Sequence, residues 1–147
     1  MGWSWISMGD PQPSLPAVVV IHTWAYTARN SGIRALFTLC HHLNRLGFRA
    51  FVTGSGAPSG MNAPAVTKRA ARRLLASPDA ICVYPEVFAG NPLRARNVVR
   101  YLLNRPGLFT GVGMEAFSPD DYFLYHAEEF RPEGLRRSRR LTMPTVD

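Results

Sequence analysis

The feature that most constrains this 147-residue chain is a predicted strand over residues 17–22, which is apolar as far as Ile21 and in which Val18–Ile21 are all β-branched. A strand without polar alternation is typical of a parallel sheet covered on both faces. From Ile33 the apolar side chains recur at helical spacing as far as Gly47, which fits a left-handed C-cap. Residues 48–53 form a second predicted strand, and such a strand–helix–strand unit makes its two strands parallel.

The rest of the chain continues this alternation. Further predicted elements are a helix over 65–76, a strand over 80–84, a helix over 92–103, and strands over 122–126 and 141–146. The third helix has Asn91 as N-cap and Pro92 at its first position. Its predicted buried face consists of Ala95, Val98, Val99 and Leu102. The pattern predicts an α/β, Rossmann-like three-layer domain with a mainly parallel sheet over 17–147, preceded by a loose Pro/Ser/Gly-rich arm over 1–16.

Composition excludes several classes of protein. The chain is 46% hydrophobic and 18% charged, which is typical of a folded domain and not of a disordered one. No apolar run approaches the roughly 20 residues that cross a bilayer, and residues 1–8 lack the basic start of a secretory signal. Cys40 and Cys82 fall in a predicted helix and strand, so we expect buried thiols and no metal site. These features favour a cytoplasmic location.

A net charge of +7 raises the question of an acidic partner. Lys68 is the only lysine, and the arginines are scattered over several elements. The one tight basic group is Arg136, Arg137, Arg139 and Arg140. This scatter argues against nucleic-acid binding, whereas peripheral contact with the inner membrane face remains compatible with the charge.

Ligands of open parallel sheets bind beyond the carboxyl ends of the strands, where the strand order reverses. Three stretches follow predicted strands and therefore qualify, over residues 22–34, 53–60 and 84–93. The second contains Gly54, Gly56 and Gly60, but it follows the second strand and lacks the acidic residue of a dinucleotide site. We reject it as a nucleotide-binding loop.

The first stretch suggests an anion site. Asn30, Ser31, Gly32, Ile33 and Arg34 stand at the start of the first helix, where free amides and the helix dipole attract phosphate or carboxylate groups. The alternative is that Asn30 or Ser31 only caps the helix and Gly32 makes the turn.

The remaining candidates would line the same crevice. They are His22 at the first strand tip, as a candidate general base, together with Tyr84, Pro85, Glu86, Gly90 and Asn91 after the third strand. A carboxylate at a strand tip can accept a hydrogen bond from a sugar hydroxyl. The alternative is that Glu86 pairs with an arginine and that Asn91 only caps a helix.

Three motifs together resemble a known family. They are Ser-Gly-Ile-Arg-Ala-Leu at 31–36, His-x-Leu-x-x-x-Gly at 41–47, and Tyr-Pro-Glu, Gly-Asn-Pro-Leu and Asn-Val-Val-Arg-Tyr-Leu-Leu-Asn-Arg-Pro-Gly within 84–107. They are similar to the N-terminal domain of bacterial GT-B glycosyltransferases of surface-polysaccharide biosynthesis, including rhamnosyltransferase-like members.

The resemblance implies the acceptor-side half of a hexosyltransferase-type enzyme. Such enzymes have two Rossmann-like domains with the active site between them, and use a nucleotide sugar as co-substrate with no bound metal or other cofactor. Gly32 would approach the donor diphosphate, and residues 86–91 would line the cleft beside a glycan or lipid-linked acceptor. We expect the chain to be inactive without a C-terminal domain or partner chain. A non-catalytic module that docks on a protein or glycan is the alternative, and the catalytic residues stay unassigned.

Overall fold

The structure is a computed structural model that describes residues 17–111, 113–134 and 136–144. A six-stranded sheet has the order β2-β1-β3-β4-β5-β6, and every neighbouring pair is parallel. Its strands are β1 (Val18–Ile21), β2 (Arg49–Val52), β3 (Ile81–Pro85), β4 (Asn97–Leu102), β5 (Tyr122–Tyr125) and β6 (Ser138–Arg140). The predicted Rossmann-like α/β class is confirmed. The predicted arm, residues 1–16, lies outside the described residues.

One long helix, α1 (Ser31–Arg45), covers the first face of the sheet. The side chain of Asn30 accepts a hydrogen bond from the backbone N–H of Ile33 at 2.9 Å, so the helix begins with a capped first turn. Gly47 has φ of 98°, the left-handed conformation predicted for the residue after the helix. Leu36 and Phe37 of α1 are fully buried against alternate residues of β1 and β2.

The second face is covered by a shorter helix, α2 (Lys68–Leu74), and by irregular chain. Val20 of β1 packs on this side with Ala71 and Leu75, whereas its neighbours Val19 and Ile21 pack under α1. Successive side chains of β1 point to opposite faces of the sheet, and both faces are covered. This explains why the sequence of β1 is a continuous apolar run. Beyond α2, two 3₁₀ turns (Met114–Ala116 and Glu128–Phe130) cover β4 and β5.

Both buried thiols are where the sequence predicts them. Cys40 lies in α1 and Cys82 in β3, each fully buried and free. Loss of hydration raises the pKa of both thiols to about 12, so they stay protonated at neutral pH. They act as small apolar residues of the two core layers.

The edges of the sheet differ in how they are protected. At the β2 edge, the Asn44 side chain bonds both backbone groups of Ala50, at 2.8 and 3.0 Å. Next to it, Val52 exchanges hydrogen bonds with Pro64 and Val66. At the opposite edge, β6 is three residues long, and its Arg139 and Arg140 are exposed.

The prediction of a helix over 92–103 is wrong. Residues 97–102 form β4, which pairs with β3 and β5. The expected inward face is divided between the two sides of this strand, because Val99 packs in the layer under α1 while Val98 packs with Leu93 on the other side. The Asn91–Pro92 signal belongs to a turn in which the Asn91 side chain bonds both backbone groups of Ala95, at 2.7 and 2.9 Å.

The prediction of a strand over 141–146 is also wrong for its described part. Residues 141–144 form no strand, although Leu141 N donates to the carbonyl oxygen of Tyr125 in β5 at 2.9 Å, and residues 145–146 lie outside the described residues. The last strand is instead β6, within the arginine-rich stretch. Leu141 and Met143 still pack in the core layer under α1, which accounts for their apolar pattern.

A buried ion pair lies on the α2 side of the sheet. Arg100 of β4 donates through Nε to Asp121 at 2.8 Å, and both side chains are less than a tenth exposed. The guanidinium also donates to the carbonyl oxygens of Phe88 and Gly90. One buried cation thus joins β4, the residue before β5 and the connection that follows β3.

Removing the carboxylate of this ion pair tests how much the pair contributes to the stability of the fold. We expect Asp121→Ala to lower the free energy of unfolding by about 3–5 kcal/mol, because it leaves Arg100 buried without its countercharge. Chemical denaturation of the purified protein measures this difference. Asp120→Ala is the matched control, because Asp120 is exposed and holds Arg137 through its backbone carbonyl; equal losses in both variants would contradict the assigned role.

Candidate functional site

The strand order reverses at the centre of the sheet. From β1 the chain passes outward to β2 on one side, and β3 returns to the other side of β1 before the chain proceeds to β4. The segments that leave the carboxyl ends of β1 and β3 therefore diverge and open a gap at the rim of the sheet. This is the position at which open α/β sheets bind their ligands.

A crevice of about 260 Å³ occupies this position. Its apolar walls come from four elements and consist of Trp24, Ile33, Leu36, Pro85, Val87, Leu103 and Phe109. Its other lining residues are Asn30, Gly32, Glu86 and Asn104. Of the described residues that line it, none is lysine or arginine, so the crevice is apolar with one carboxyl group.

Glu86 is the ionisable group of the crevice. It follows β3 directly, is only 6% exposed, and accepts hydrogen bonds through Oε1 from the backbone N–H groups of Leu103 at 2.9 Å and Asn104 at 3.3 Å. Burial raises the pKa of this carboxyl, and the backbone N–H groups oppose that rise in part. Its partners in the described part of the chain are amides, so the alternative of an arginine pair does not hold.

The start of α1 forms another part of the lining. Asn30, Gly32 and Ile33 line the crevice, whereas Ser31 and Arg34 do not. The Asn30 side chain is a helix cap, as the structural alternative proposed, and Gly32 beside it lines the same crevice as Glu86. Arg34 donates to the carbonyl oxygen of Ala28, and its buried Nε has no hydrogen-bond partner among the described residues. Its charge therefore serves the loop before the helix and not the crevice.

His22 lies next to the crevice without lining it. Its Nδ1 is 2.9 Å from the Thr53 hydroxyl, and its ring stands 4.3 Å from that of Phe88 and 5.7 Å from that of Tyr84, between centroids. Burial, and secondarily the positive charge of Lys68, lower the pKa of His22 to about 4. The imidazole is therefore neutral at physiological pH and is a packed ring more than a proton acceptor.

Three predicted cleft residues lie elsewhere. Tyr84 points into the layer under α2, where its hydroxyl donates to Asn91 Oδ1 at 2.7 Å and accepts from Leu93 N at 2.9 Å. Burial raises the pKa of this phenol. Gly90 and Asn91 line a separate open groove of about 840 Å³ that includes the amino-end residues Pro78 and Asp79. Of the predicted residues after β3, only Pro85 and Glu86 line the crevice.

Sequence reasoning missed several lining residues. Trp24 follows His22, the last residue of the first predicted strand, by two positions. This position alone predicts that Trp24 lines the crevice. Leu103, Asn104 and Phe109 follow β4, and the mistaken helix prediction placed them away from the rim. A strand over 97–102 places these side chains beyond its carboxyl end, at the rim where ligands of such sheets bind.

The chain matches no family model, no curated protein and no solved structure. Among the described residues, no three His, Cys, Asp or Glu side chains are grouped as metal ligands would be. In the same part of the chain no helix is long and apolar enough to span a membrane.

The lowered pKa of His22 predicts a pH-dependent stability. This pKa is about 4 in the folded protein, against an ordinary value of 6.5 for the imidazole of an unfolded chain, so the unfolded chain binds the proton first as the pH falls through this window. The stability that His22 contributes to the wild-type protein is therefore present above pH 6.5 and is lost as the pH falls towards 4. We expect His22→Gln to be less stable than wild type at neutral pH, and the gap to narrow as the pH approaches 4.

Denaturant unfolding at several pH values between about 4 and 7.5 measures this gap. His42→Gln is the control for the loss of an imidazole from the chain, because His42 lies on α1 and does not line the crevice. A His22→Gln gap that stays constant with pH would show that the imidazole titrates freely in the folded protein.

Proposed function

We propose that this domain binds a sugar acceptor in the crevice and is the acceptor-side half of a glycosyltransferase. The observation that supports this most is the Glu86 carboxyl, buried in an apolar crevice at the point of strand reversal. A pyranose ring presents C–H groups on its faces and hydroxyls around its rim. Apolar walls with one hydrogen-bond acceptor suit such a molecule.

The lining favours the acceptor over the donor diphosphate. A phosphate in this crevice would approach Glu86 and meet no lysine or arginine among the described lining residues. The amides at the start of α1 partly serve Asn30, since Ile33 N donates to its side chain and Arg34 N to its carbonyl oxygen. A neutral sugar meets none of this charge repulsion. The donor phosphates would then bind mainly to a second Rossmann-like domain.

Glu86 would orient the acceptor hydroxyl. Its carboxyl is held through Oε1 by the amides of Leu103 and Asn104, so a bound hydroxyl would meet a fixed acceptor. A raised pKa also brings a carboxylate nearer the proton affinity that a general base needs at neutral pH. The donor would be a nucleotide sugar and the acceptor a growing surface glycan, free or lipid-linked, at the cytoplasmic face of the membrane.

A binding module without chemistry is the second candidate. Phe109, which lines the crevice, and its neighbour Leu108 are 68% and 62% exposed, and a contiguous exposed apolar patch marks a surface that a partner covers. Sugar binding without release of nucleoside diphosphate, measured with nucleotide sugars and the companion domain present, would favour this function over transfer.

Amide chemical shifts provide the first test of the proposed function. We expect methyl glycosides and short oligosaccharides to shift the amide resonances of Gly32, Leu103 and Asn104 in a saturable manner. Glu86→Gln should weaken binding by about tenfold to a hundredfold, because hydrogen bonds to charged groups contribute about 1.5–3 kcal/mol. Titration followed by two-dimensional NMR measures both effects.

Glu129→Gln is the matched control, because Glu129 is an exposed carboxylate of the second 3₁₀ turn and does not line the crevice. It should bind sugars as wild type does. Shifts confined to the groove around Asn91, or shifts with nucleotides and none with any glycoside, would reject the crevice as an acceptor site.

A further inference from the structure

Trp24 is a large aromatic side chain left half in solvent at the mouth of the crevice. It is 52% exposed and lines the crevice. Its ring contacts Phe88 at 4.7 Å between centroids, with the two planes inclined by 42°. One part of the indole is therefore supported by protein while the rest remains accessible.

The backbone of Trp24 is fixed on both sides by the turn after β2. Thr23 bonds the Thr53 hydroxyl through both its N–H, at 3.0 Å, and its carbonyl oxygen, at 3.1 Å. Tyr26 N donates to Ser55 O at 2.7 Å. Between them, Gly54 lies so close that a β-carbon there would stand 1.9 Å from the carbonyl oxygen of Trp24. Only glycine permits this approach, so the turn holds Trp24 in place.

The supporting ring is fixed in the same way from the other side. Arg100 Nη1 donates to the carbonyl oxygen of Phe88 at 2.9 Å, and Asp121 fixes the guanidinium. Behind Phe88 stands the His22 ring, 4.3 Å away between centroids. Phe88 is therefore held at its backbone by a buried cation and at its ring by a neutral imidazole.

We infer that Trp24 is the platform on which the apolar face of the acceptor pyranose stacks, and that Arg100 is a positioning residue acting through Phe88. The inference rests on the proposed function for the nature of the ligand. Electron-rich aromatic faces attract the weakly positive C–H groups of a sugar ring, and a rigid indole binds at little entropic cost. A hydroxyl at the edge of a ring stacked there would be directed towards Glu86, which lines the same crevice.

A nucleobase also stacks on tryptophan, so the two ligands must be separated. A nucleotide bound at Trp24 would bring its phosphates into a crevice that has a carboxyl group and, among the described residues, no basic side chain in its lining. The lining therefore favours a neutral sugar.

The chain has three tryptophans, so Trp3→Phe with Trp5→Phe leaves Trp24 as the only indole. In this background, fluorescence reports on the platform. We expect methyl glycosides to shift or quench the emission in a saturable manner and uridine monophosphate to have no such effect. Measured by NMR titration, Trp24→Phe should retain most of the affinity, and Trp24→Leu should weaken sugar binding by about tenfold.

The positioning role is tested without any ligand. Phe88→Leu in the single-tryptophan background should raise the acrylamide quenching constant of Trp24, because the indole loses its supporting ring. Arg100→Lys should raise it in the same direction, with the folded fraction checked by circular dichroism. Phe48→Leu is the control, since Phe48 is partly exposed at the amino end of β2 and should leave the quenching unchanged.

Each of these measurements has an outcome that overturns one specific claim. Unchanged quenching in Phe88→Leu overturns the positioning of Trp24 by Phe88 and Arg100. Sugar affinity unchanged in Trp24→Leu but reduced in Glu86→Gln overturns the platform and leaves the proposed function intact. Saturable quenching by uridine monophosphate and none by glycosides assigns the platform to a nucleobase and overturns the sugar inference. If no glycoside shifts any amide of the wild-type protein, the proposed function fails and the sugar inference fails with it.

Discussion

The parallel pairing of β1 with β3 is the constraint on which the rest of this structure depends. It sets Val19, Val20 and Ile21 beside Ile81, Cys82 and Val83, although more than fifty residues separate the two strands along the chain. Because β2 pairs with the other side of β1 and β4 with the other side of β3, the chain leaves the two central strands in opposite directions. The gap at the rim follows from this order alone, and the first turn of α1 and Glu86 both line it.

Two buried ionisable side chains bond the connections after β3 and β4, where such a fold normally has helices. The connections after β3 and β4 contain no α-helix within the described residues. Glu86 accepts hydrogen bonds from the backbone that follows β4, and Arg100 donates to the backbone that follows β3. Buried polar backbone groups must find partners, and here charged side chains from the neighbouring strand supply them. The hydrogen bonds of Glu86 therefore belong both to the crevice and to the scaffold. They hold the segment after β4 against the end of β3 without an α-helix between these strands.

Local patterns were sufficient to predict β1, β2, β3, β5 and both helices, because each has a period that one structure alone explains. For β4 the spacing of Ala95, Val98, Val99 and Leu102 fits one face of a helix and equally a strand buried on both faces. Only pairing with β3 and β5 decides between them, and that information is not local. The presence of Gly32 and Glu86 in one crevice could be predicted because it depends on topology. The ring contact between Trp24 and Phe88 could not, because it depends on Gly54 and Arg100, which approach from distant segments.

The groups that protect the two edges of the sheet limit how this domain can associate with other chains. An open strand edge can recruit a strand of another chain and extend the sheet across molecules. Here Asn44 and residues 64–66 occupy the backbone groups on the β2 side, and two like-charged guanidinium groups stand on the short strand β6. A second copy approaching β6 in register would bring arginine against arginine. Lateral growth into fibrils or strand-exchanged dimers is thereby disfavoured, and partners are left to approach through side chains and not through shared backbone pairing.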